Sequence, residues 1–434
     1  MTDRRTFCKG LASLPLGGLF GSGALRFAHA VNSAGERGPL QSSEILSRLR
    51  SLASRFRNSN CRTRGIVSQA PTITPMGVSY PPELTVRATY TSAPQLFELY
   101  GGVPILVAGL RRIRNTTIAA NGGNLGANNG AQGTCWRAEC IVDAAMVAFR
   151  VGPTAVPYRF LVDDQYVDTI GTQTLSARGV TWEYILLDFT SVGGKKRRRI
   201  TVEGALTCAF DGAVVAEGDA VTAPATDNAI LMIIIGDSLV YGAGAAHRAD
   251  SWAVTMGDYL GVRNTWASGS GGTGWIAGPP RAYSFRERMA DWVSYSPDVV
   301  VFAGGFNDRG RAAASVAAEV TTCLRETRKT LPTAPIFVFG TPAGATGPSH
   351  EILEVERAVQ TGTAALRDPL TRFIAISTDR DGPWIGGHGK IGLPSGDGNS
   401  DTLTSPDGVH PSDEGHAFLG RRAADAIIKD LARI

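Results

Sequence analysis

Leu231-Met232-Ile233-Ile234-Ile235-Gly236-Asp237-Ser238-Leu239 is the stretch that decides the fold. Its first five residues are apolar without alternation, the pattern of a strand covered on both faces in a parallel sheet. A strand of this kind that stops at Gly-Asp-Ser carries a hydroxyl to the carboxyl edge of the sheet, where open α/β folds place their ligands. Ser238 is therefore the first candidate nucleophile. A lone serine there reads more simply as a helix cap or turn residue, so its neighbours have to decide.

Downstream, the apolar segments at 298–303, 335–339 and 373–376 alternate with helical stretches at 311–331, 351–366 and 412–434. In the last of these Phe418, Leu419, Ala423, Ile427, Ile428 and Leu431 share one side. Strand and helix in alternation mean βαβ units and a parallel sheet. Upstream, residues 84–222 have a different texture. Short segments rich in β-branched and aromatic residues, such as Met146-Val147-Ala148-Phe149-Arg150-Val151 and Tyr184-Ile185-Leu186-Leu187-Asp188-Phe189, are separated by turn chemistry. That spacing predicts an all-β sandwich or jelly roll, with residues 121–133 as an exposed Gly/Asn-rich loop. Residues 31–83 read as a linker with one amphipathic helix, on which Ile45, Leu46, Leu49, Leu52 and Phe56 repeat at helical spacing. The expected division is a leader at 1–30, the linker at 31–83, a β-domain at 84–224 and an α/β domain at 225–434.

At 434 residues, with 43% hydrophobic and 19% charged residues, the chain has apolar material for two ordinary cores. A net charge of +4 gives no footprint for nucleic acid or an anionic membrane, and the basic run Lys195-Lys196-Arg197-Arg198-Arg199 reads as a solvated hairpin loop. No stretch after the leader approaches the roughly 18 apolar residues of a membrane span. The leader itself combines Arg4-Arg5, a weakly apolar Gly-rich stretch and Ala28-His29-Ala30. It resembles a bacterial twin-arginine export signal and implies a periplasmic or extracellular destination. Its removal leaves Cys61, Cys135, Cys140, Cys208 and Cys323. Cys135 and Cys140 bracket a loop-like Trp-Arg-Ala-Glu and are expected to be able to close a small disulfide ring, while Cys323 lies on a helical apolar stripe and is expected as a buried thiol. No CxxC occurs and the six histidines are scattered, so no metal site is expected.

Four short patterns in the second half carry chemistry: Gly236-Asp237-Ser238-Leu239, Ser270-Gly271-Gly272-Thr273-Gly274, Gly305-Phe306-Asn307-Asp308 and Asp407-Gly408-Val409-His410. Each follows a strand or precedes a helix, so a parallel sheet brings all four loops to one edge. Acyl transfer needs this inventory. A serine hydroxyl is a poor nucleophile until a base removes its proton, and His410 is a base whose ordinary pKa lies near neutrality. Asp407, from the same loop, can orient the ring and favour the imidazolium. The backbone N–H of Ser238, that of Gly271 and the Asn307 amide are candidate donors to the oxyanion.

In this order the four patterns resemble the SGNH (GDSL) hydrolases, named for a Ser, Gly, Asn and His in four blocks. The resemblance covers about residues 229–434 and assigns Ser238, Gly271, Asn307 and His410 to those blocks, with Asp407 as the acid. Gly269, Gly272 and Gly274 compete with Gly271 for its role. The family implies a flavodoxin-like α/β/α sandwich acting on esters without a cofactor. A β-sandwich ahead of it is similar to the layout of carbohydrate acetyl-esterases of that superfamily. The resulting expectation is an exported serine esterase that removes a small acyl group, acetyl first among them, from a carbohydrate. A lipase, an acyl-transferase and a non-catalytic glycan-binding protein are the alternatives. Trp275 and Trp384 are candidates for an apolar wall or sugar-stacking platform, with core or lid packing the competing role. The Gly-rich insert at 379–405 is a candidate lid or substrate-selecting loop, and His388 within it reads as a loop residue rather than a second base.

Overall fold

A computed structural model describes residues 40–58, 65–107, 110–114, 135–176, 179–205, 208–225, 230–276, 284–289 and 293–433. The expected export leader, Cys8, Cys61 and the insert at 121–133 lie outside them.

Among the described residues the first half holds thirteen strands. They are β1 (Thr72–Gly77), β2 (Leu84–Thr89), β3 (Glu98–Tyr100), β4 (Val103–Val107), β5 (Leu110–Arg114), β6 (Trp136–Ala144), β7 (Met146–Val151), β8 (Arg159–Val162), β9 (Gln165–Tyr166), β10 (Glu183–Asp188), β11 (Lys196–Gly204), β12 (Phe210–Ala216) and β13 (Ala220–Thr222). Eleven of them form two antiparallel sheets, one in the order β1-β10-β7-β12-β2, the other β13-β6-β11-β8-β9 with β3 beside β6, while β4 and β5 pair as a separate hairpin. Phe149 and Ile185 of the first sheet and Phe160, Ile200 and Val202 of the second meet in one core, which is the expected β-sandwich.

The second half holds a parallel sheet of β14 (Leu231–Gly236), β15 (Asn264–Gly269), β16 (Val299–Ala303), β17 (Ile336–Phe339) and β18 (Thr371–Ile374), in the order β15-β14-β16-β17-β18. This is the flavodoxin-like order, with its switch point between β14 and β16. Along β14 the side chains alternate between two cores. Met232 and Ile234 pack on one face with α3 (Trp252–Leu260) and α7 (Asp413–Leu431). Ile233 and Ile235 pack on the other with α4 (Ala313–Thr330) and α5 (His350–Ala365). Cys323 is buried on α4, as its place on the stripe predicts.

Several expectations need correction. The amphipathic helix, α1 (Ser42–Asn58), is no linker element: Ile45, Leu46 and Leu49 are buried in the core beneath α3 and α7, and Arg50 Nε donates to the Leu431 carbonyl at 3.0 Å. Residues 72–77, placed in the linker, form β1 of the sandwich. The basic run is only partly solvated, because β11 begins at Lys196 and Arg198 folds inward over the Phe189 ring, 4.2 Å from its centre. Cys135 and Cys140 are free and buried at the start of and within β6. Five residues of strand hold them roughly 17 Å apart, far beyond the ~7 Å Cα separation a disulfide tolerates. Among the described residues no helix is long and apolar enough to cross a membrane.

The sandwich and the α/β unit meet through charge. Glu203, fully buried on β11, accepts from Arg137 Nε at 2.9 Å and Arg159 Nε at 2.7 Å. Each arginine then reaches across to the other unit with a two-pronged pair, Arg137 on Asp258 at 2.7 and 2.9 Å and Arg159 on Asp250 at 2.8 and 2.9 Å. Arg263 answers from the opposite side, on Glu139 at 2.7 Å and Asp164 at 2.6 Å. Removing one member of a buried set strands its partners without water, a loss of roughly 3–5 kcal/mol. Arg159→Ala is therefore expected to lower the unfolding free energy by about that amount in a denaturant titration. Arg197→Ala, on the exposed start of the neighbouring strand β11, should stay within about 0.5 kcal/mol of wild type.

Candidate active site

The nucleophile loop is fixed by its own backbone. β14 ends at Gly236, and Asp237, in an extended conformation, caps the short helix α2 (Ser238–Tyr241) by accepting the Leu239 N–H at 2.9 Å. This turn leaves Ser238 half-buried at the sheet edge, with its Oγ 2.8 Å from His410 Nε2.

His410 sits in the loop between α6 (Ser400–Leu403) and α7. Asp407 organises that loop: its Oδ1 accepts from Ser405 Oγ at 2.8 Å, Val409 N at 2.8 Å and His410 N at 3.0 Å, while its Oδ2 lies 2.6 Å from His410 Nδ1. Partial burial pushes the Asp407 carboxyl up, but the hydrogen bonds from the His410 ring and the loop amides outweigh it and hold the group well below the usual carboxylate range. An ionised carboxylate only accepts, which assigns the ring proton to Nδ1 and leaves Nε2 free to accept from the Ser238 hydroxyl. The backbone at His410 and Pro411 is packed closely by the loop after α2. Gly244, at φ +95°, approaches so closely that a Cβ there would stand 2.1 Å from the Pro411 carbonyl, so only glycine fits. The neighbouring Ala243 carbonyl is 3.0 Å from Nε2 of the buried His416, whose Nδ1 accepts the Trp252 N–H at 3.1 Å. Burial lowers His416 to about 4, so it stays neutral and holds the loop rather than exchanging protons.

The other two blocks arrive from the neighbouring strands. Asn307 lies in the turn after β16, and its Nδ2 donates to the Thr273 carbonyl at 2.9 Å and makes a long 3.5 Å contact with Asp237 Oδ2. Gly271 follows β15 in a turn whose Ser270 N–H returns to the Gly236 carbonyl at 3.0 Å. Ser238, Asp407 and His410 thus form one hydrogen-bonded row, Asn307 is tied to the residue before the serine, and Gly271 stands in the adjoining turn.

Sequence reading overlooked the buried charges that hold these turns. Arg288 donates to the carbonyls of Gly236 at 3.0 Å and Ser268 at 2.8 Å, pinning the ends of β14 and β15. Asp308 accepts the N–H groups of Trp275 and Ile276 at 2.8 and 2.9 Å. Glu356, on α5, accepts four backbone N–H groups, from Thr341, Ile376, Ser377 and Thr378, and so ties the end of β17 to that of β18. A carboxylate among Ile352, Val355 and Val359 on the apolar stripe was the available signal for Glu356; Arg288 left none.

Neither tryptophan is a stacking platform. Trp275 is fully buried against Phe285 and Phe302, with ring centres 5.1 and 5.3 Å away. Trp384 is buried at 2% exposure, with its Nε1 on Asp379 at 2.8 Å and its ring edge-on to Phe339. It does form an apolar wall, for it lines a small pocket of about 20 Å³ beside Asp237 and Leu239. His388 is exposed in the insert and paired with Asp397 at 2.8 Å. The insert itself is fastened to the His410 loop, with Lys390 Nζ on the Pro406 carbonyl at 2.5 Å and Ile391 N on the Thr404 carbonyl at 3.0 Å. No group of three or more side chains suited to a metal occurs among the described residues.

Burial raises Asp237 to about 7, against the capping bond from Leu239 and aided by the nearby Asp308 charge. An aspartate in the unfolded chain ionises near 3.9. The stability that protonated Asp237 contributes is therefore fully present below about pH 4 and is lost as the pH rises through the folded value. Asp237→Asn keeps the capping oxygen and removes the titration. Its thermal midpoint relative to wild type is expected to climb between pH 4 and 8 and then level off; an offset constant across that range would contradict this.

Residues 234–418 match the sequence model of the GDSL-like lipase/acylhydrolase family. No curated protein matches the chain. Among solved structures, the chain is similar to a salicylyl-acyltransferase from a tetracycline biosynthetic pathway at 15% identity and TM-score 0.57, covering 79% of this chain and 97% of that one. It is similar to a family two carbohydrate esterase from Cellvibrio japonicus at 13% identity and TM-score 0.56, covering 80% and 98%. An acetyl xylan esterase from the rumen bacterium Butyrivibrio proteoclasticus aligns at 11% identity and TM-score 0.52, covering 80% and 98%. At such identities the likeness is one of fold, and it spans both halves of the chain. The four blocks stand in the expected order on a sheet of the expected topology, within the residues that match the GDSL-like lipase/acylhydrolase model.

Proposed function

We propose that the protein is a serine esterase that removes a small acyl group from a carbohydrate ester. The observation that carries this is the continuous row from Asp407 through His410 to Ser238, with contacts of 2.6 and 2.8 Å. In this reading His410 Nε2 takes the Ser238 proton as Oγ bonds to the acyl carbon, while Asp407 stabilises the imidazolium. The oxyanion is met by the N–H groups of Ser238 and Gly271 and by the Asn307 amide, whose long contact to Asp237 is the one it gives up. His410 then protonates the departing alcohol, leaving an acyl-enzyme. Water, deprotonated by the same imidazole, releases the acid and restores Ser238. No step calls for a cofactor.

The carbohydrate part of the proposal rests on the fold shared with the Cellvibrio japonicus and Butyrivibrio proteoclasticus esterases across both halves of the chain. Action outside the cytoplasm rests on the leader, with its Arg4-Arg5 pair and Ala28-His29-Ala30.

With p-nitrophenyl acetate as substrate, Ser238→Ala is expected to reduce kcat by about 10⁴ or more. Asn307→Ala is expected to reduce it by roughly 10²–10³, as loss of one oxyanion donor does. Equal rates for wild type and Ser238→Ala would sink the esterase reading. Acetate release from acetylated polysaccharides tests the substrate class. A protein that cleaves the test ester but liberates no acetate from any of them would keep the chemistry and lose the carbohydrate.

A further inference from the structure

The hydrogen-bonded row makes no use of the apolar pocket next to it, and folding gains nothing from one, because an unfilled void in a core costs stability. Its position is specific. Asp237 and Leu239, the residues on either side of Ser238, both line it, and so does Gly304, which leads into the Asn307 turn. Trp252, Ile376, Trp384 and Leu419 close it from α3, the end of β18, the insert and α7. Its volume of about 20 Å³ holds one water-sized group, and walls so nearly free of polar atoms offer a water too few partners to stay.

The chemistry at Ser238 calls for such a recess. In the tetrahedral intermediate the acyl carbon carries four substituents. One is Ser238 Oγ, one is the oxyanion facing the Asn307 amide, and one is the alcohol oxygen, which must lie beside His410 Nε2 to receive its proton. The fourth, the carbon end of the acyl group, has only the remaining direction. It needs a dry, apolar place matched to its length.

Resting on the reading of Ser238 as nucleophile, we infer that the pocket walled by Ile376, Trp384 and Leu419 receives the methyl end of an acetyl group and restricts the enzyme to acyl chains of two carbons. A longer chain would overfill it. A chain ending in a carboxylate would bury an unpaired charge there.

The test is the ratio of kcat/KM for p-nitrophenyl acetate to that for p-nitrophenyl hexanoate, measured on the full chain. Both values come from one preparation, so any unfolded fraction cancels. Wild type is expected to favour acetate by about 100-fold or more, in line with what a few methylenes cost in a fixed pocket. Leu419→Ala, which enlarges the recess, is expected to cut that ratio at least tenfold. Ile376→Val, a milder change that keeps the core filled, should cut it by about threefold. Wild type cleaving hexanoate as fast as acetate overturns the inference, and so does a ratio unchanged in both variants while Ser238→Ala is inactive. Absence of activity on every ester overturns the pocket and the esterase reading together.

Discussion

At the carboxyl edge of the parallel sheet, backbone amides and carbonyls run out of ladder partners while still shielded from water, and each has to be met by a side chain. Buried charges do most of this. Arg288 takes the carbonyls at the ends of β14 and β15, Glu356 takes the amides beyond β17 and β18, and Asp308 takes those of the turn after β15. Arg288 pins the turns that carry Ser238 and Gly271, and Asp308 ties the Asn307 turn to the residues that follow Gly271. The His410 loop alone is organised from within the row, by Asp407.

What could be read from the chain follows from how far apart the causes lie. The strand before Gly236-Asp237-Ser238 announces itself because burial on both faces requires an unbroken apolar run, and that requirement is local. Asp407 and His410, three residues apart, carry their geometry within one loop, and Asp407 builds that loop by accepting from the amides of Val409 and His410. Arg288 was opaque for the opposite reason. An arginine in an irregular segment looks like surface until distant elements fold over it. The same holds for α1, whose apolar stripe was plain but whose partners, α3 and α7, lie more than 190 residues away.

The interface between the two halves obeys a related rule. Glu203 is out of water, and the two arginines that neutralise it each hold a second carboxylate from the other unit. Forked arginine–carboxylate pairs fix angle as well as distance, so the sandwich is registered against α3 and the loop before it. An apolar contact of the same area would tolerate sliding. A charged one, desolvated on one side, does not.

The packing of α1 against α7 also sets an order of events during synthesis. Of the described helices the earliest, α1, has its binding face completed by the latest, α7, with the whole β-sandwich emerging between them. That sandwich has its own core and can condense as soon as β13 is out, whereas the cover over Ile45, Leu46 and Leu49 begins with α3 and is complete only when the ribosome has delivered Leu419 and Ile427. The interval in which those three side chains stand bare is when the nascent protein is most exposed to proteases and to its own neighbours.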